Sequence, residues 1–308
     1  MATVDIIIDM NSRLDLHQLS SFLAVVETMH FGRAARQLGV ASPNLSRQIK
    51  NIENILGYPL FERTTRGIAL TAAGSYLAQR AQLLRTTFQE AIDTTRRIGR
   101  GEEGNLTIGY NESVIYSGIG RVIEHFSRRF PRVSVQLRNH YVHEQIPLLL
   151  DGTLDIGLVR DGHQTQGLTT GSILREKFVA VLPKNHAMAD HTSIMPRALK
   201  DERFVLFPQK IGRLLYRKII SVCETDGFTP NITQEASEWA TVITLVGAGM
   251  GVSLAPASTT QQLKITGVAY RPLLSKVSTC VEAWTQPGLT NPTARAFLTI
   301  AKEQFGPM

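Results

Sequence analysis

The side chains with the clearest chemical purpose lie between Phe31 and Asn51, in the run FGRAARQLGVASPNLSRQIKN. Ser42, Asn44, Ser46, Arg47, Lys50 and Asn51 mix small hydrogen-bonding groups with cations. Helical spacing puts them on the face opposite Leu45, Ile49 and Ile52. Such a face suits base edges and phosphates; taken alone, it also suits the solvated side of an ordinary helical hairpin. A second group sits at Asn111, Glu112 and Ser113, where a strand ends and a helix begins. Free N–H groups and a hydroxyl at that point suit a carboxylate or another anion. Arg160 directly follows a later strand, placed to form a bidentate pair with a carboxylate. Two plainer readings stand beside these: Ser113 as a cap, and Arg160 tied to Asp161 or Glu144.

Other chemistries fare worse. Cys223 and Cys280 are far apart and lack metal-like spacing, so idle thiols in a reducing compartment are expected, with a redox switch as the rival. His140, His143, His163, His186 and His191 fall among loops without zinc spacing. Gly247-Ala-Gly-Met-Gly251 resembles part of a dinucleotide fingerprint, but it precedes a strand instead of following one. No Ser-His-Asp or Cys-His grouping stands out. No catalytic residue, metal or cofactor is therefore expected.

The elements that must hold these groups can be read in order. Leu16, Leu19, Phe22, Leu23 and Val26 recur at helical spacing and predict a first helix. Phe31, Ala35 and Leu38 line a second, stopped by Gly39. Ser42 is expected as the N-cap of a third helix, with Pro43 in its first position. Next, Tyr58–Arg63 and Ile68–Thr71 read as short strands around the polar tip Thr64-Thr65-Arg66-Gly67. A two-stranded wing carrying Arg66 can reach a minor groove or nearby phosphates, and this tips the basic helix towards DNA. Leu77, Ala81, Leu84, Phe88, Ala91, Thr95 and Ile98 then step by four and three, a heptad seam wanting a partner helix. The stretch Gly99–Gly104 reads as a flexible hinge.

From residue 104 onward strands alternate with helices. Leu106–Tyr110, Val133–Leu137 and Asp155–Val159 form a first set; Phe178–Pro183, Phe204–Pro208, Ile232 and Val252–Pro256 form a second; Val281–Trp284 and a final helix return to the first. The rhythm predicts a mostly parallel, doubly wound sheet in each of two lobes. Ligands in such folds bind at the carboxyl ends of strands, so Phe207, Pro208 and Gly212 should line the second lobe's side.

The chain has 308 residues and 43% hydrophobic residues, with a mean hydropathy of -0.04, enough for several domains with real cores. No apolar run approaches the ~20 residues of a membrane span, and a cytoplasmic location is the simplest. The net charge of +7 leans weakly towards a polyanionic partner. Ile6-Ile7-Ile8 is flanked by Asp5 and Asp9, which reads as an extension, or as upstream of a true start at Met10, and not as a signal peptide.

Phe31…Ala34-Ala35…Leu38-Gly39-Val40, Pro43-Asn44-Leu45-Ser46-Arg47-Gln48-Ile49, Leu60-Phe61-Glu62-Arg63 and Leu70-Thr71-Ala72-Ala73-Gly74 resemble the winged helix-turn-helix of LysR-type transcriptional regulators. Gly152-Thr-Leu-Asp155-Ile-Gly and Val246–Pro256 are similar to phrases of the same family further on. The chain departs from the family at His30, Ser42 and Asn44.

The resemblance implies an α/β protein. Residues 1–13 are an extension, 14–74 a winged helix-turn-helix, and 75–103 a dimerising linker helix and hinge. Residues 104–308 are a Rossmann-like, periplasmic-binding-protein type effector domain, with lobe I at 104–174 and 281–308 and lobe II at 175–280. Ser42, Pro43 and Ser46 should meet double-stranded DNA near base edges, Arg47 and Lys50 its phosphates, and Arg66 the minor groove, with Asn44 also on the DNA-binding face. Asn111, Ser113, Val142, Arg160, Phe207, Pro208 and Gly212 should surround a small anionic effector. At Ser113 and Arg160 the chain resembles regulators sensing benzoate- or muconate-like acids, which usually carry Thr at Val142's place. A homotetramer built from linker-helix dimers is implied. The rivals are a redox-sensing regulator, and an enzyme or solute-binding protein using the two-lobed fold.

Overall fold

The computed structural model describes residues 14–65, 67–163 and 165–305. Contacts divide the chain into two units between Thr95 and Arg96. The expected extension at 1–13 and the wing-tip Arg66 lie outside the described residues.

In the first unit, α1 (Leu16–Thr28), α2 (Phe31–Leu38) and α3 (Ser42–Leu56) lead into the antiparallel hairpin β1 (Phe61–Thr64) and β2 (Gly67–Leu70), and then α4 (Ala72–Gly99). Apolar faces at three- and four-residue spacing drive the packing: Phe22, Val25, Ala34, Ala35, Leu45, Ile49, Ile52 and Leu60 form one buried core. Small Ala34 and Ala35 let α1 and α3 approach α2. Gly39 takes φ +67°, a left-handed stop, and Val40 N–H returns to the Ala35 carbonyl at 3.0 Å. The start of α3 differs from expectation by one residue. Ala41 is the extended N-cap and makes no side-chain cap, while Ser42 and Pro43 are both helical. Pro43 is tolerated there because first-turn N–H groups lack helical partners anyway. Two further ties were not anticipated. His30 caps α2, its Nδ1 accepting from Gly32 N–H at 3.0 Å and Arg33 N–H at 3.3 Å. Glu53 Oε1 on α3 accepts from Leu60 and Phe61 N–H at the wing's entry.

The helix α4 runs unbroken through the expected boundary at 74/75. Its seam splits in two. Leu77, with Ala78 beside it, packs on the first unit's own core and Ala81 is buried, whereas Leu84, Phe88 and Ile98, with Leu83 off the seam, are exposed.

The second unit contains β3 (Glu103–Tyr110), the short α5 (Glu112–Val114), a π turn at Ile115–Ile119, α6 (Gly120–Arg129), β4 (Arg132–Asn139), α7 (Val142–Leu150), β5 (Ile156–Arg160) and β6 (Thr169–Pro183). It continues with β7 (Arg203–Leu206), α8 (Arg213–Thr225), β8 (Asn231–Glu235), α9 (Trp239–Gly247), β9 (Ser253–Pro256), α10 (Thr259–Gln262), β10 (Val268–Pro272), β11 (Ser278–Thr285) and α11 (Pro292–Phe305). Two lobes follow, each with its own core: Leu106, Ile108, Phe126, Ile156 and Phe297 in lobe I, and Phe178, Phe204, Leu206, Ile219, Val242 and Leu254 in lobe II.

The expectation of mostly parallel sheets is corrected. β3 pairs in parallel with β4 and β5, as does β7 with β8, but β11 is antiparallel to β5 and β6, and β6 is antiparallel to β9 and β10. The reason is connectivity. The chain leaves lobe I along β6 and returns along β11, so neighbouring crossover strands must run in opposite directions. β6 pairs with β11 over Thr169–Lys177, and with β9 and β10 from Phe178 onward. That changeover marks the lobe border slightly later than the expected 174/175. The strand Val268–Pro272 was not foreseen. Within the expected hinge at 99–104, Gly101 is buried at φ +73°, where a Cβ would come within 2.6 Å of the Pro292 carbonyl, and Arg97 pairs with Glu103 at 2.7 Å. No helix among the described residues is long and apolar enough to cross a membrane.

Candidate functional site: a nucleic-acid face and an interlobe cleft

On α3, Leu45, Ile49 and Ile52 are buried, and this forces Ser42, Pro43, Asn44, Ser46, Arg47 and Lys50 outward. All six are exposed. Arg47 Nη2 donates to Asn44 Oδ1 at 3.3 Å, a loose surface contact that leaves most of the guanidinium's donors for an outside partner. A cationic, exposed helix beside a two-stranded hairpin is the geometry of a helix lying in a major groove with a wing alongside.

In the second unit, a cleft of about 980 Å³ opens between the lobes. It lies off the ends of β3, β5 and β7, where chain ends and helix starts converge. Of the expected residues, Asn111, Ser113, Val142, Arg160, Phe207 and Gly212 line it, whereas Pro208 does not. Ser113 is 6% exposed and its Oγ has no hydrogen-bond partner, and Asn111 Oδ1 is likewise buried and unpartnered. Neither side chain is a cap, because α5 shows no side-chain cap hydrogen bond. Buried polar atoms normally find partners, and these two unpartnered acceptors share one cleft wall.

Arg160 behaves differently from the expectation of a guanidinium free for a carboxylate. Its side chain is 0% exposed, Nη1 pairs with Glu176 Oε1 at 2.7 Å, and Nη2 donates to the Ser113 carbonyl at 3.1 Å. Glu176 stands in the middle of β6 and also accepts from Ser258 N–H and Oγ–H at 2.6 and 2.9 Å. The positive charge is therefore matched inside the protein, and Glu176 in turn ties it to Ser258 of lobe II. Asp161 is similarly committed: held at φ +50°, it accepts from Lys218 at 2.5 Å, from Thr279 Oγ1 at 2.5 Å and from Cys280 N–H at 2.9 Å.

Several cleft residues escaped sequence reading. Lys210, Arg213 and Arg217 line the lobe II wall at the start of α8. Their i, i+3 and i, i+4 spacing was visible, but only tertiary folding brings that turn to the cleft. Glu112 Oε1 accepts from Trp239 N–H at 3.1 Å, across the lobes, and from Tyr116 Oη–H at 3.2 Å. Burial raises the Glu112 carboxyl above its ordinary value, with Glu238 adding to the rise against hydrogen bonds that lower it. Trp239, Tyr116 and Tyr141, together with the expected Phe207, supply aromatic surface. Both cysteines are buried, and their thiols are pushed up to about 12, chiefly by that burial. Thiols so held are poor nucleophiles at neutral pH. Among the described residues, no three His, Cys, Asp or Glu side chains are grouped to hold a metal ion.

A winged helix-turn-helix joined in one chain to a two-lobed ligand-binding unit is the build of an effector-controlled DNA-binding regulator. Comparison with known proteins gives the family. The model described as "Bacterial regulatory helix-turn-helix protein, lysR family" matches residues 16–75, and "LysR substrate binding domain" matches residues 99–306. The chain belongs to the LysR family of transcriptional regulators. It is 35% identical over 288 residues to the uncharacterised HTH-type transcriptional regulator YnfL of Escherichia coli K12, covering 92% of this chain and 96% of that protein. It is 35% identical over 258 residues to the HTH-type transcriptional regulator AlsR of Bacillus subtilis strain 168, covering 84% of this chain and 85% of that protein. In fold it is similar to the crystal structure of CbnR, a LysR family transcriptional regulator, with a TM-score of 0.85 and 24% identity over 94% of this chain and 100% of that one. The protein is thus a DNA-binding transcriptional regulator with an effector-binding domain.

Proposed function

We propose that a small organic acid with an apolar or aromatic body binds between the lobes and changes how this regulator engages its operator. The observation that carries this reading is the pairing, within one cleft, of unpartnered Ser113 Oγ and Asn111 Oδ1 with the cationic turn Lys210–Arg217. Phe207, Trp239 and Tyr116 give such an acid an apolar bed. Binding that favours one lobe arrangement over another biases the regulator between states. Benzoate- and muconate-like acids are members of this class.

On the DNA side, Ser42, Pro43, Asn44 and Ser46 approach base edges, Arg47 and Lys50 hold phosphates, and Arg66 enters the minor groove. The exposed Leu83, Leu84 and Phe88 on α4 support pairing of two copies through that helix, and a tetramer is the further assembly proposed. The regulator acts in the cytoplasm, where the chromosome is.

The decisive experiment is a thermal-shift screen of the full chain against benzoate, muconate and other small acids, repeated with Ser113→Ala. At least one acid should raise Tm in the parent and lose most of that effect in the variant. A cleft that no acid stabilises, or a shift unchanged by Ser113→Ala, would sink the reading.

A further inference from the structure

The two walls of the cleft are electrically opposite. Lys210, Arg213 and Arg217 are exposed on the lobe II wall, and their side chains make no ion pair or hydrogen bond with the described residues. Arg213 is the first residue of α8, and Gly212 before it provides no side-chain cap. Cations at a helix N-terminus oppose the helix dipole, so this placement is unfavourable unless an anion sits among them. The lobe I corner is the reverse. Asn111 Oδ1, Ser113 Oγ and the Glu112 carboxylate offer acceptors, and Glu238, an acid on the lobe II side, stands close enough to raise Glu112 electrostatically. Arg160, a cation lining that corner, is already paired with Glu176.

We propose that the effector is a small amino acid: its carboxylate is held by Lys210, Arg213 and Arg217 at the start of α8, and its ammonium by Glu112, Ser113 and Asn111. This rests on the cleft being the acid site and deepens it. A carboxylate placed against Glu112 would meet like charge, whereas an ammonium supplies donors to the unpartnered Asn111 Oδ1 and Ser113 Oγ and a counter-charge to Glu112. The raised Glu112 carboxyl is what a buried acid without a counter-cation shows, and a bound ammonium would supply one. A ligand held at both ends spans the two lobes, which couples its binding to their arrangement.

The test uses matched sets on one carbon skeleton: phenylalanine, 3-phenyllactate and 3-phenylpropionate; leucine, 2-hydroxyisocaproate and 4-methylpentanoate; 5-aminovalerate, 5-hydroxyvalerate and valerate. Thermal shift of the full chain is titrated with each. In at least one set the amino acid should half-saturate at a concentration about tenfold or more below both counterparts. Glu112→Gln, which keeps an oxygen for the Trp239 N–H, should bring the members of that set within about twofold of one another. Arg213→Gln with Arg217→Gln should weaken the whole set. The ligand-free Tm of each variant reports its fold. Equal stabilisation by the amino-free acids overturns the proposal while leaving the cleft as the acid site. No stabilisation by any member overturns both. An amino-acid preference that survives Glu112→Gln overturns the assignment of the ammonium.

Discussion

Arg160 shows how one side chain can be placed correctly in sequence and still be engaged by a partner that the sequence does not reveal. Its position at the end of β5 does bring it to the cleft, but Glu176 meets it there at 2.7 Å with no exposed surface left on the side chain. Removing either partner strands a buried charge, which typically costs about 3–5 kcal/mol. Arg160→Ala and Glu176→Gln should therefore each lower the unfolding free energy of the second unit by several kcal/mol in a urea titration, with no ligand present. Losses below about 1 kcal/mol, as for exposed pairs, would mean the contact is solvated and Arg160 is open to ligand after all. At His30 the residue-scale effect is smaller. Its Nδ1 satisfies two first-turn N–H groups of α2, so His30→Ala should destabilise the winged domain by about 1 kcal/mol, while His30→Ser should restore most of that.

At the scale of elements, α3 and α4 present surfaces that their own unit leaves open. Arg47 and Lys50 on α3 face solvent because Leu45, Ile49 and Ile52 face the core. If they hold phosphates, Arg47→Ala and Lys50→Ala should each weaken operator binding in a gel-shift series and flatten the dependence of log affinity on log salt by about one unit. An unchanged slope would place these side chains away from the backbone. On α4, Leu84 and Phe88 are 53% and 52% exposed, a large apolar cost for a helix without a partner. Replacing both with Glu should shift the protein to monomer in sedimentation, and a wild-type-like association state would exclude α4 as the dimer contact.

The molecule as a whole depends on a few buried groups that tie the lobes together and on others that burial silences. Glu112 to Trp239, Lys218 to Asp161 and Ser258 to Glu176 each cross from one lobe to the other. Cys223, Cys280, Tyr116 and Tyr270 are all pushed up to about 12 by burial, from ordinary values of 9.0 for the thiols and 10.0 for the phenols. A folded-state value raised in this way gives stability that is complete below the ordinary value and is lost as pH rises through the folded one. Tm should accordingly hold up to about pH 9 and then fall steadily towards pH 12. The same burial argues against redox control. A Cys223→Ser, Cys280→Ser double variant should keep its effector response, and a response abolished by that change would revive the thiol switch.

Sequence by itself determined what depends on neighbours along the chain. The helices of the DNA-binding unit follow from apolar spacing, the Gly39 stop from a left-handed turn, and the alternation of strands and helices after residue 104 from local periodicity. The outward face of α3 was legible for the same reason: a helix that buries Leu45, Ile49 and Ile52 has no choice about where Arg47 and Lys50 point. Asn111, Ser113 and Gly212 could be placed at strand ends and helix starts, so they were found too. Tertiary structure decided what depends on residues far apart. Glu176 is sixteen positions from Arg160, and Asp161 lies more than a hundred from Thr279 and Cys280, so no spacing rule reveals that these charges cancel. The antiparallel crossover of β6 and β11 and the cationic wall of α8 are set by how two lobes close on one another. Charge matching is a property of three-dimensional proximity, and it pairs Arg160 with Glu176 while leaving Lys210, Arg213 and Arg217 facing the cleft.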